Sequence, residues 1–130
     1  MDNTSNNIPF KKKILIVEDD FYIRDIYELQ AKHEGYDVMT AADGEEALKK
    51  VRSELPDLVL LDLMLPKVDG MTVLKTIKQD PQLQKIPCVV LTNLEDSTKE
   101  QEALSLGAAA YLLKIKYTPG SAIETLKKYF

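Results

Sequence analysis

The sequence predicts an α/β protein built as a doubly wound parallel sheet, in which five strands and five helices alternate as (βα)5. Short apolar runs alternate along the chain with longer segments whose apolar residues recur at helical spacing. The run at residues 58–61, Leu-Val-Leu-Leu, lacks polar alternation, which is typical of a strand covered on both faces. We therefore expect helices on both sides of the sheet, and right-handed crossovers leave few topologies.

The first half of the chain contains three such strands, at residues 14–17, 37–41 and 58–61. Between the first two strands, apolar residues at 23, 26, 27 and 31 predict a helix that Gly35 ends. Asp43 and Gly44 open the second helix, whose first turn carries acidic residues that the helix dipole favours. The third strand stops abruptly at Asp62.

The second half predicts strands at residues 86–92 and 109–113 and helices around 71–77, 97–106 and 122–129. Pro87 stands at the entrance of its strand, where no ladder hydrogen bond is lost. Gly107 ends one helix, and Pro119 can start the last one. The lone Cys88 cannot form an internal disulfide, so we expect a buried core thiol.

Size and charge limit the function classes. A chain of 130 residues corresponds to one domain, which we place at residues 12–130 after a flexible, Asn- and Ser-rich tail at residues 1–11. A net charge of -4 indicates no general attraction to nucleic acid or to an anionic membrane. The chain shows no secretory signal and no run approaching the ~20 apolar residues of a membrane span. We therefore expect a cytoplasmic protein.

Polar residues gather where the predicted strands end, and ligands of such sheets bind beyond the carboxyl ends of the strands. These residues are Glu18, Asp19, Asp20, Asp62, Thr92 and Lys114. Each has a simpler explanation when taken alone, because Asp20 suits a helix cap and Lys114 an exposed surface position. Tyr111 is most simply a half-buried core aromatic.

Taken together, the strand-end residues predict phosphoryl chemistry. Glu18, Asp19 and Asp62 repel one another at one edge unless a cation neutralises them, and hard oxygen ligands suit Mg²⁺. Lys114 supplies a positive charge and Thr92 a hydroxyl donor for phosphoryl oxygens. Asp62 lies centrally among these strand-end residues, so it is the best candidate to attack phosphorus and form an aspartyl phosphate.

The chain resembles the receiver domain of two-component response regulators from about Lys12 to Phe130, as a stand-alone single-domain type. The motifs that carry the resemblance are Glu18-Asp19-Asp20, Asp62 in Leu-Leu-Asp-Leu-Met-Leu-Pro, Thr92 in Val-Val-Leu-Thr, and Lys114 in Tyr-Leu-Leu-Lys. Five elements in register make the match specific. The resemblance implies a flavodoxin-like sheet with strand order 2-1-3-4-5.

The resemblance also implies the roles of the site residues. Asp62 would accept a phosphoryl group from a phosphohistidine of a sensor histidine kinase or a phosphotransfer protein. Asp19 would bind Mg²⁺ directly, Glu18 mainly through water, and Met64 through its backbone carbonyl. The protein would catalyse only its own phosphorylation and dephosphorylation, and would therefore not be an enzyme in the usual sense.

A conformational switch follows from the same resemblance. Lys114 would pair with the phosphoryl group, Thr92 would move toward it, and Tyr111 would turn inward behind it. The surface of the fourth helix, fifth strand and fifth helix would then change for a downstream protein partner or a phosphorelay. We expect no direct nucleic-acid or membrane binding, because no helix-turn-helix segment follows Phe130, and a monomer or a phosphorylation-dependent homodimer.

Two residues depart from the family pattern. Ile115 follows Lys114 where a proline with a cis peptide bond is common, and a cis bond before isoleucine costs ~3 kcal/mol against ~1 before proline. We therefore predict a trans bond and a shifted loop at residues 114–116. Asn93 replaces a small residue after Thr92, and it either crowds the phosphoryl pocket or hydrogen-bonds there.

Two other function classes compete with the switch. A phosphate-ester hydrolase of the haloacid-dehalogenase type would use an Asp nucleophile, but it needs a second Asp two positions later, where Met64 stands. An interaction module that has lost phosphorylation is suggested by Ile115 and Asn93. All the reacting groups remain in the sequence, which favours the switch over both.

Overall fold

The computed structural model describes residues 11–130, so the predicted tail at residues 1–11 lies outside the described residues except for Lys11. The strands are β1 (Lys13–Val17), β2 (Asp37–Ala41), β3 (Leu58–Leu61), β4 (Cys88–Thr92) and β5 (Ala110–Leu113). The helices are α1 (Phe21–His33), α2 (Gly44–Glu54), α3 (Gly70–Gln79), α4 (Ser97–Leu106) and α5 (Pro119–Thr125). Short 3₁₀ turns cover Lys114–Lys116 and Leu126–Tyr129.

The strands form one parallel sheet in the order β2-β1-β3-β4-β5. The register aligns the carboxyl ends of the first three strands, because Val17 pairs with both Ala41 and Leu61. At the other side of the sheet, Thr92 pairs with Leu113. The predicted fold and strand order are therefore confirmed, and the ends of β1, β3, β4 and β5 meet at one edge.

Two hydrophobic cores cover the two faces of this sheet. Leu15 and Val17 of β1 face the core that α2, α3 and α4 complete. Ile14 and Ile16 face the opposite core, which includes buried residues of α1 and α5. This alternation of side chains within one strand buries both faces, which explains why the strands contain no polar alternation.

The ends of the elements follow their capping residues. The Asp20 carboxylate accepts hydrogen bonds from two N–H groups at the start of α1, and Gly35 and Gly107 adopt left-handed backbone angles after α1 and α4. β4 begins at Cys88 rather than at residue 86, because Pro87 has no N–H to donate and only its carbonyl accepts from Val59.

Other differences arise from packing. Ile26 belongs to the predicted apolar stripe of α1 but is 48% exposed, whereas Tyr27 and Ala31 are buried. The last helix changes to a 3₁₀ turn at Leu126. Cys88 is buried as predicted, and burial raises the pKa of its thiol to about 11. Among residues 11–130, no helix combines the length and apolar character that crossing a membrane requires.

Candidate phosphorylation and metal site

Three carboxylates meet at the carboxyl edge of the sheet. Oxygen atoms of Glu18, Asp19 and Asp62 all lie within 4.8 Å of one another. Glu18 and Asp62 are buried, while Asp19 is exposed. Glu18 and Asp19 follow β1, and Asp62 follows the neighbouring β3, so the strand order itself brings them together. The predicted convergence of these acids is therefore present in the structure.

Lys114 joins two of these acids. Its ammonium lies 2.8 Å from an oxygen of Asp62 and also forms a close ion pair with Glu18. Only 11% of the Lys114 side chain and 5% of each acid side chain remain exposed, so water screens these pairs weakly. One lysine thus offsets part of the negative charge of three carboxylates.

Burial and pairing act in opposite directions on this cluster. Burial raises the pKa of Glu18 above its usual value, and the hydrogen bond from Lys114 only partly opposes that effect. Burial tends to lower the pKa of Lys114, but its hydrogen bonds to Asp62 and Glu18 outweigh burial and the pKa is raised. Lys114 is therefore fully charged at neutral pH.

The local backbone holds Asp62 firmly. Its N–H donates to Val17 at 3.1 Å, and one carboxylate oxygen accepts the Met64 N–H at 3.1 Å. Gly70, the first residue of α3, packs against it so closely that a Cβ there would lie 2.2 Å from the Asp62 carbonyl oxygen. The start of α3 therefore needs glycine in order to approach the acid-bearing loop.

The loop between β1 and α1 is also hydrogen-bonded on several sides. The Glu18 N–H donates to Ala41 at 3.0 Å, and its carboxylate accepts the Asp20 N–H at 3.0 Å. The Arg24 guanidinium donates to the backbone carbonyls of Glu18 at 2.9 Å and of Asp19 at 3.3 Å. These bonds fix the main chain from which the two acids project.

The two predicted switch residues lie on β4 and β5, the strands that follow β3 in the sheet. Thr92 is fully buried at the end of β4, where its hydroxyl accepts the Leu94 N–H at 3.2 Å. Tyr111, on the neighbouring β5, is half-buried, and its hydroxyl donates to the Leu94 carbonyl at 2.6 Å. Both side chains thus contact the same residue of the β4–α4 loop. Their movement in a switch stays a prediction.

The two departures from the family pattern leave the reacting groups in place. The Lys114–Ile115 bond is trans, as predicted, since residues 11–130 contain no cis peptide bond. Ile115 lies in the 3₁₀ turn after Lys114 and is 77% exposed. Asn93 is exposed on an open groove that also borders Lys114, and its side chain forms no hydrogen bond within the described chain. The effect of Asn93 on the phosphoryl pocket stays a prediction.

Sequence reasoning missed two residues of this site. Tyr27 of α1 is buried beside Glu18, Asp62 and Lys114, and burial raises the pKa of its hydroxyl. Arg24 contacts the acidic loop from the first turns of the same helix. The only sequence signal for Arg24 is indirect: a cation near a helix amino terminus is disfavoured by the helix dipole, but this does not indicate which groups it contacts.

The model of the family described as "Response regulator receiver domain" matches residues 14–122. The chain belongs to this family. Receiver domains are signalling switches of two-component systems that bind Mg²⁺ at an acidic pocket, and the regulators that this chain resembles are not metabolic enzymes.

Individual relatives agree with the family. The alkaline phosphatase synthesis transcriptional regulatory protein PhoP of Bacillus subtilis is 45% identical over 103 residues, which cover 79% of this chain and 42% of that protein. The chain thus spans about two fifths of the length of the curated relatives it matches. The chemotaxis response regulator CheY4 of Vibrio cholerae superposes with a TM-score of 0.85 at 30% identity, covering 93% of this chain and 100% of CheY4.

A third likeness concerns a metal-bound structure. The Mn(2+)-bound form of response regulator Rcp1 has a TM-score of 0.82 and 30% identity, covering 91% of this chain and 93% of Rcp1. In the present chain, the donor set at the corresponding edge of the sheet consists of carboxylate oxygens from Glu18, Asp19 and Asp62. Such hard ligands, with one exposed acid open to water, fit Mg²⁺.

Proposed function

We propose that Asp62 accepts a phosphoryl group from a phosphohistidine of a histidine kinase or a phosphotransfer protein in the cytoplasm. The supporting observation is that Lys114 and three carboxylates converge at the carboxyl edge of the sheet. Asp62 is the proposed nucleophile because it follows the central strand and its carboxylate is held by the Met64 N–H.

In this reaction a carboxylate oxygen of Asp62 forms a bond to phosphorus while the phosphorus–nitrogen bond of the donor breaks. The bonding electron pair of that bond leaves with the imidazole. Glu18, Asp19, Asp62 and the Met64 carbonyl would hold Mg²⁺, which supplies positive charge for phosphoryl oxygens that the acids would otherwise repel.

Lys114 gives the arriving phosphoryl group a cation. Its ammonium pairs with Glu18 and Asp62 in the structure described here, and it can exchange one of these carboxylates for a phosphoryl oxygen without leaving the site. Thr92 offers its hydroxyl from the end of β4. The same groups would serve the hydrolysis of the aspartyl phosphate, in which a water oxygen bonds to phosphorus, the bond to the Asp62 oxygen breaks and inorganic phosphate leaves. In this proposal the protein acts on its own phosphoryl group alone.

The switch that we propose uses the shared contact at Leu94. If Thr92 turns toward a phosphoryl group, its hydroxyl releases the Leu94 N–H, while Tyr111 already donates to the Leu94 carbonyl. The β4–α4 loop is therefore a two-state element, and the surface of α4, β5 and α5 changes for a partner protein. A phosphorylation-dependent homodimer through that surface belongs to the same proposal.

The decisive experiment supplies acetyl phosphate and Mg²⁺ and measures the intact mass of the protein. The wild type should gain one phosphoryl group, and Asp62→Asn should gain none. Asp25→Asn, an exposed acid on α1, is the matched control and should react like the wild type. A wild type that gains no mass, or an Asp62→Asn variant that gains as much, would overturn the proposal.

A further inference from the structure

The three carboxylates of the site are not held in the same way. Glu18 and Asp62 each accept a hydrogen bond from Lys114 and a second one from a backbone N–H. Asp19 is exposed, and no group within residues 11–130 donates a hydrogen bond to its carboxylate. The direction of the Asp19 side chain therefore depends on its main chain.

Arg24 holds that main chain on both sides of the Asp19 Cα atom. Its Nη1 donates to the Glu18 carbonyl at 2.9 Å and to the Asp19 carbonyl at 3.3 Å. These carbonyls belong to the two peptide units that flank Asp19. Fixing both peptide planes restricts φ and ψ of Asp19, and therefore the direction of its Cα–Cβ bond.

The position of Arg24 on α1 supports a specific role. It is the fourth residue of the helix, where the positive end of the helix dipole disfavours a cation. The two carbonyl contacts compensate for this cost, and the Phe21 ring lies 5.6 Å from the guanidinium carbon as a further partner. An arginine at this place is therefore better explained by its contacts than by helix stability.

We infer that Arg24 is a positioning residue that holds Asp19 in the direction required for binding Mg²⁺. The inference rests on the proposed function, since it concerns the same metal site. Arg24 does not touch the reacting atoms. It acts through the backbone of the β1–α1 loop, as outer groups of metal sites commonly orient the ligands themselves.

The direction of the change in Mg²⁺ affinity distinguishes a positioning role of Arg24 from a purely electrostatic effect of its charge. Removing a nearby cation should by itself strengthen Mg²⁺ binding, because less repulsion remains. Removing a group that orients Asp19 should weaken binding. A loss of affinity in a neutral variant therefore identifies positioning.

The experiment titrates MgCl₂ into the metal-free full chain and measures affinity by isothermal titration calorimetry. Arg24→Met should bind Mg²⁺ about tenfold more weakly. Arg24→Lys, which keeps a cationic hydrogen-bond donor at the end of a long side chain, should recover most of the affinity. Arg52→Met, at an exposed arginine in the last turn of α2, is the matched control and should leave affinity unchanged.

A double-mutant cycle tests whether Arg24 acts through Asp19. In an Asp19→Asn background, Arg24→Met should cause little further loss, whereas independent effects would add. Equal or tighter binding by Arg24→Met, or full additivity, would overturn the inference. Melting temperatures in EDTA show that each variant is folded, and Arg24→Gln replaces Arg24→Met if the latter does not fold.

Different experimental results would refute the two proposals. A wild type that neither binds Mg²⁺ nor gains a phosphoryl group refutes the proposed function. A wild type that does both, beside an Arg24→Met variant of unchanged affinity, refutes only the role of Arg24.

Discussion

Strands β4 and β5 are neighbours in one ladder, yet they differ sharply in burial. All residues of β4 are buried, including Thr92, whereas every residue of β5 is partly exposed. β5 is one of the two edge strands, and it leads into Lys114 and the exposed Ile115. The acids and Thr92 thus project from the ends of interior strands, while Tyr111 lies on an edge strand and Lys114 follows it.

This difference indicates where a conformational change is least costly. A buried strand moves only if its whole core moves, because interiors are close-packed. An edge strand with one free side can shift at lower cost, and low local stability is typical of switching elements. Three comparisons, which use four substitutions and their controls, test the contrast.

The largest effect on the free energy of unfolding should come from replacing one of two leucines that are paired between β4 and β5. Leu91 of β4 is 2% exposed and pairs with the half-buried Leu112 of β5, and both lie on the same core. Leu91→Ala should lower the free energy of unfolding by about 3 kcal/mol and Leu112→Ala by about 1, because the second side chain loses less buried area. Urea denaturation measures both. Equal losses would show that the edge strand is packed as tightly as the interior.

Removal of the cation at the end of β5 should have the next largest effect. Lys114→Met leaves Glu18 and Asp62 without their shared partner, which should cost about 2 kcal/mol at neutral pH without metal. Burial raises the pKa of Glu18 above 4.5, and without Lys114 it rises further. A raised carboxyl pKa gives stability that is present below the unfolded value and lost as pH rises through the folded value. The deficit should therefore be larger at about pH 7.5 than at about pH 4.5.

Two controls isolate that effect. Lys116→Met removes an exposed lysine two positions later and should be nearly neutral. Adding Glu18→Gln to Lys114→Met should reduce the pH dependence, since the titrating acid is gone. A deficit that stays constant with pH in EDTA would contradict the assignment to Glu18.

The smallest effect should follow from Tyr111→Phe. The change removes the hydrogen bond to the Leu94 carbonyl but keeps the half-buried ring, so the loss should be about 1 kcal/mol or less. Amide hydrogen exchange should become faster in the β4–α4 loop, while the buried amides of β3 should keep their protection. Equal acceleration of exchange in the β4–α4 loop and in β3 would show that the edge of the sheet does not move separately from its interior.

Sequence patterns predicted the sheet well because its signals are local. The uninterrupted apolar run of β3 requires burial on both faces, and Gly107 and Asp20 mark helix ends by their own conformational preferences. The proximity of Glu18, Asp62 and Lys114 was predictable because parallel strands bring their carboxyl ends to one edge.

Contacts that depend on tertiary geometry were not predictable in the same way. The carbonyls that Arg24 contacts carry no sequence signature, and Tyr27 looked like one member of an apolar stripe. Helical spacing places Ile26 on the same stripe, but its side chain is exposed, because spacing alone does not determine how wide the buried face of a helix is. The end of α5 at Thr125 likewise has no marker such as glycine or proline.

Gly70 has a consequence for how this molecule can change shape. A Cβ at Gly70 would lie 2.2 Å from the Asp62 carbonyl oxygen, so the backbone of Asp62 and the first turn of α3 pack against each other with no room for a side chain between them. Main-chain displacement of Asp62 would have to carry a whole helix with it. If Asp62 is phosphorylated as proposed, we therefore expect the change to be transmitted by rotation of side chains on neighbouring strands, while the main chain of Asp62 keeps its position.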